Sequence, residues 1–118
     1  MGNKIDELLR KVLGTSTTLY TLLTTTFVVD FPNHDWDGRK DDQKVKSFFG
    51  SVSGGSFVAE EDGSESVFLY LAQPQVTPCY IVRYLKINSE GAVAHVAWDE
   101  GDAKVPIVLT FLDKESDC

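Results

Sequence analysis

The sequence predicts a single α+β domain, with an N-terminal amphipathic helix and a short second helix packed on a mainly antiparallel sheet that ends in a C-terminal β-meander. Three observations predict it. Ile5, Leu8, Leu9, Val12 and Leu13 recur at helical spacing near the N terminus. From Ser66 to Leu112, runs rich in β-branched and aromatic residues are broken by Gly and Pro, as in strands linked by tight turns. A chain of 118 residues, 42% hydrophobic and 25% charged, suits one core spanning 1–118 rather than two.

The first helix has Asn3 as its cap, Asp6 in its first turn, and Gly14 following Arg10 and Lys11. Its apolar stripe is expected to pack on one face of the meander. Thr15 to Thr26 fits two periods. Leu19, Leu22 and Leu23 mark a helical stripe, while alternation of Leu19, Thr21, Leu23, Thr25 and Phe27 marks a strand, which is the reading adopted here. Phe27 to Phe31 reads as a strand stopped by Pro32.

Beyond a polar loop, Asp41 or Asp42 caps the expected second helix, in which Val45, Phe48 and Phe49 form an apolar patch ended by Gly50. Ser51 to Gly55 reads as a small-residue connector and Ser56 to Glu60 as a strand. The Asp62-Gly63 turn joins that strand to Ser66–Ala72, and Pro74 and Pro78 bracket a loop before the strand Cys79–Asn88. If Ser89-Glu90-Gly91 is a three-residue turn, Asn88 opposes Ala92, so Tyr84 faces Val96, Val82 faces Trp98, and Tyr80, Tyr84 and Trp98 share one sheet face with His95 on the other. The last strand, Lys104 to Leu112, contains Pro106, which cannot donate to a ladder and predicts an edge position. Residues 113–118 are expected to be a frayed tail.

Composition narrows function by exclusion. Eighteen acidic against 11 basic residues give a net charge of −7 and leave no basic cluster, which argues against nucleic acid and anionic lipid as partners and is compatible with a basic protein. An aromatic sheet face can stack bases, but such platforms lie in positively charged grooves, so that use is set aside. Two cysteines, Cys79 and Cys118, form neither a disulfide framework nor a zinc spacing, and favour a reducing, cytoplasmic setting. No signal-peptide core or apolar run of spanning length is present, and Asp6 stands where a myristoylated N terminus usually has Ser or Thr.

The most chemically loaded stretch is the loop from Asn33 to Asp42, which combines His34, Trp36 and Arg39 with several carboxylates. Asn33, Asp35, Asp37, Gly38 and Asp41 fall at positions 1, 3, 5, 6 and 9 of a calcium-loop register, but Lys44 replaces the bidentate Glu at position 12 and Pro32 bars an ordinary entering helix. Calcium is therefore the single cofactor weighed, and none is expected. Nucleophilic catalysis needs a base beside Ser or Cys, and the chain has two histidines, His34 and His95. The predicted register sets Cys79 and His95 far apart along the hairpin. Asp35 and Asp37 are the paired carboxylates available, and in the solvent-exposed loop expected here neither would have the raised pKa that an acid catalyst needs.

No motif specifies a reaction. The expectation is a non-catalytic protein-interaction or adaptor module, with a binding surface drawn from His34, Trp36, Arg39, Tyr80, Tyr84 and Trp98, and a protein partner or a second copy of the chain as ligand. The alternative is a small-molecule or metal-binding domain, including an enzyme, that uses the loop 33–42.

Overall fold

A computed structural model describes residues 4–14, 17–32, 46–77, 79–99 and 101–111. Two helices, α1 (Lys4–Leu13) and α2 (Leu19–Thr24), precede seven strands in chain order: β1 (Phe27–Asp30), β2 (Ser47–Gly50), β3 (Val52–Ala59), β4 (Glu65–Leu71), β5 (Ile81–Asn88), β6 (Gly91–Trp98) and β7 (Gly101–Phe111). The fold is α+β. All the strands lie in one antiparallel sheet of order β2-β1-β7-β6-β5-β4-β3.

That order dictates the shape of the sheet. β2 and β3 stand at its opposite edges, yet Ser51 alone joins them. Seven strands laid flat would separate the edges by about 29 Å at ~4.8 Å per step. Gly50 to Val52 spans at most about 7 Å of chain. The sheet must therefore curl until its edges meet, and the Ala72 N–H donating to the Ser51 carbonyl at 2.9 Å extends the β3–β4 ladder up to the junction.

The inside of the curl is the core. Phe27, Val29, Val67, Leu69, Tyr80, Val82, Leu85, Ile87, Val96 and Val105 are all buried there with Leu8, Leu9 and Leu22 of the helices. α1 lies against β3, β4 and β5, and α2 against β3, which is the packing expected for the first helix.

Sequence periodicity misassigned two segments. Thr15 to Thr26 contains α2 rather than a strand, because capping favours the helical stripe. The Thr18 hydroxyl accepts from the Thr21 N–H at 3.1 Å, and the Asp6 carboxylate reaches across from α1 to accept from the Leu19 N–H at 2.9 Å. Asp6→Ala is expected to cost about 1 kcal/mol in denaturant unfolding and to speed amide exchange in α2 before α1. The expected second helix ending at Gly50 is, over Ser47–Gly50, the strand β2, with Phe48 opposite Val29 and Phe49 opposite Val28. Pairing with β1 lets Phe48 pack on Phe31, at 5.9 Å between ring centroids, and on the core.

The strand boundaries also shift. β3 begins at Val52 and absorbs most of the expected connector, because Gly55 sits where α2 and β4 approach β3 closely. β7 is paired on both sides, with β6 and with β1, so it is not an edge strand. Its pairing with β1 starts only at Val108, so Pro106 falls where the β1 side is still open and its missing N–H removes no bond there.

Candidate outer-face site

The register of the β5–β6 hairpin decides which side chains meet outside the curl. Its turn has two residues, Ser89 and Glu90, with Asn88 opposite Gly91, whose φ of +131° suits glycine, rather than opposite Ala92. Tyr84 consequently faces His95, not Val96. A β-bulge then inserts Arg83 between Tyr84 and Val82, and Val82 pairs with Val96 rather than with Trp98.

The extra residue resets the alternation. Val82 and Leu85 both point into the core, while Tyr84 points outward. The predicted grouping of Tyr80, Tyr84 and Trp98 on one face is thereby replaced. Tyr80 is 1% exposed and packs edge-on to Trp98 at 6.0 Å inside the curl, whereas Tyr84 stands on the other face beside His95.

Outside the curl, a row of side chains crosses four strands. Phe68 of β4 meets Tyr84 of β5 with ring centroids 4.9 Å apart at 60°, and Tyr84 meets His95 of β6 at 4.9 Å and 64°. His95 Nε2 lies 2.9 Å from Asp102 Oδ2 on β7. Phe68, Tyr84 and His95 are each half-buried without belonging to the core, so the rings shield one another. The Lys86 ammonium sits 5.7 Å from the Phe68 centroid and 4.0 Å from Glu60, and Tyr70, next along β4, is 42% exposed.

His95 is held in place by this row, by its ring contact with Tyr84 and its Nε2 contact with Asp102. In the neutral ring the contact with Asp102 places the proton on Nε2, so Nδ1 is left as a buried acceptor with no hydrogen-bond partner among the described residues. Lys104 lies opposite His95 on β7, so Asp102 and Lys104 bracket the imidazole with opposite charges. Cys79 is exposed in the loop before β5. Among the described residues, no group of three or more His, Cys, Asp or Glu side chains is placed to hold a metal ion.

Of the residues singled out from sequence, Tyr84 stands in the outer row, while Tyr80 is core and Trp98 packs against it. His34, Trp36 and Arg39, and the calcium-register residues Asn33, Asp35, Asp37 and Asp41, lie outside the described residues. Phe68 pairs with Lys86, two residues from Tyr84 on the same face of β5, so its contact with Tyr84 follows from the regular β4–β5 register. No described helix is long and apolar enough to cross a membrane. Comparison of the chain with protein-family models, with curated proteins and with solved structures finds no match.

Proposed function

We propose that this protein is a non-catalytic interaction module that receives a partner protein on the outer face of its sheet, across Phe68, Tyr70, Tyr84 and His95. The observation that carries the reading is the ring row itself: stacked aromatics on the face opposite the two helices, with Tyr70 still 42% exposed. Rigid aromatic side chains contribute large contact area at low entropic cost, and they recur at the energetic centres of protein interfaces. Charges of both signs flank the row, Glu60 and Asp102 against Lys86 and Lys104, and give its rim the means to fix a partner's orientation.

The partner is basic in character, since a chain of net charge −7 attracts a cationic protein and repels its own copies at long range. A cytoplasmic setting belongs to the same reading. The test is a ¹⁵N-edited NMR titration with capped peptides that each carry two arginines and one aromatic residue. The expected result is shifts centred on Phe68, Tyr70, Tyr84 and His95. Tyr84→Ala is expected to keep a dispersed spectrum and to weaken binding at least about tenfold, the loss of one interface anchor. Shifts confined to other surfaces, or an unchanged affinity in Tyr84→Ala, would remove the proposal.

A further inference from the structure

Where the sheet's two edges meet, the curl is closed at Ser51 but open beside it. A groove of about 610 Å³ lies there, lined by Thr26, Phe48, Phe49, Ser51, Gln73 and Val76 among others. Phe48 and Phe49 point to opposite faces of β2, so a groove lined by both, and by the next two residues, runs along the strand's edge rather than over one face. One edge of β2 is occupied by β1, so the groove follows the edge that no described strand pairs with.

Backbone directions follow from the hydrogen bonds at either end of β2. The Lys46 carbonyl accepts from the Phe31 N–H, toward β1, and the Ser51 carbonyl accepts from the Ala72 N–H, away from β1. Peptide groups alternate sides along a strand, so Ser47 and Phe49 turn their N–H and C=O away from β1, and Phe49 lies on the groove's wall. The opposite wall, 72–76, is itself tied back to β5, through the Gln75–Ile81 bridge and the Val82 N–H donating to the Pro74 carbonyl at 2.8 Å. Two backbone edges thus flank a gap in the ring of strands.

We infer that this groove is an acceptor site for one extended segment of a partner protein, which pairs with β2 and completes the ring by β-augmentation. Over the four residues it covers, the segment is uncharged. Among the described residues no charged side chain lines the groove, so an ionised residue there would lose water and gain no partner among them. An apolar side chain directed inward meets Phe48 and Val76, while Thr26, Ser51 and Gln73 offer hydrogen bonds at the rim. The groove and the outer aromatic row share no residue, so each stands or falls alone.

The probe is a capped seven-residue peptide of alternating Val and Thr, with a Lys at each end for solubility. Hydrogen-exchange NMR on the wild-type protein is expected to show at least tenfold slower exchange at the Ser47 and Phe49 amides, with little change at Phe48. Phe49→Pro removes the donor that faces the groove and no bond to β1, and is expected to weaken the peptide at least tenfold. Phe49→Ala keeps the backbone and stays within about threefold. The same peptide N-methylated at alternate residues, added to wild-type protein, must also fail to bind, which keeps the test decisive even if Phe49→Pro misfolds. Absence of protection at millimolar peptide, or equal binding of the N-methylated peptide, overturns the proposal.

Discussion

Leu9→Ala is expected to lower the unfolding free energy by about 2–5 kcal/mol, a large share of the ~5–15 kcal/mol that holds a domain of this size. Leu9 is fully buried on α1, which has ten residues, too few for a helix to persist in water without packing. Its stability therefore comes from the contact of its apolar stripe with β3, β4 and β5. Removing the side chain opens a cavity between helix and sheet, and cores close-packed on a curled sheet relax poorly into such a space. Urea unfolding followed by far-UV circular dichroism measures the loss. Tyr20→Ala, on the 75% exposed side of α2, is the control and is expected to stay within about 0.5 kcal/mol. A Leu9→Ala cost as small as the control's would mean that α1 does not anchor this core.

How far the sequence foretold the structure can be judged at particular residues. The stripe of Ile5, Leu8, Leu9 and Val12 repeats at the helical period, and the strands from β4 to β7 alternate well enough to be read as a meander, so the fold class was legible. α2 was not, because one of its two caps comes from Asp6, 13 residues before Leu19, and a local window cannot contain that contact. β2 was read as a helix for a related reason: Ser47-Phe48-Phe49-Gly50 is too short to show a period, and pairing with β1 decides it.

The outer row was only half legible. Tyr84 could be placed on a sheet face from alternation alone, but a turn one residue shorter than expected changed its neighbour from Val96 to His95, and a single inserted residue, Arg83, turned Val82 and Tyr80 to the opposite face. Bulges respond to the curvature of the whole sheet, and that curvature is imposed by the Ser51 junction between its two edges. The groove beside β2 was invisible for the same cause. It exists only because strands far apart in the sheet's order are adjacent in the chain.

Gly55→Val tests how tightly the helices constrain that curl. A Cβ at position 55 would lie 3.1 Å from Leu69 Cδ2, 3.2 Å from the Phe68 carbonyl oxygen and 3.3 Å from Leu19 Cδ1. Two of these neighbours are side-chain ends that can swing aside. The carbonyl oxygen cannot, because it belongs to the backbone of β4, paired on one side with β3 and on the other with β5. Valine adds two methyl groups beyond that Cβ, and crowding of this kind costs about 1–3 kcal/mol. The strain has two outlets, and a second substitution separates them. If Leu19 takes most of it, Leu19→Ala in the Gly55→Val background recovers part of the lost stability, with a coupling of about 0.5 kcal/mol or more in a double-mutant cycle. If the β3–β4 backbone takes it, the two costs add, and amide exchange speeds up along β3 rather than in α2. The partial rescue is the expected result, since a six-residue helix lying against β3 yields more readily than a strand paired on both sides. A Gly55→Val protein as stable as the wild type would show that α2 does not press on β3 at this position.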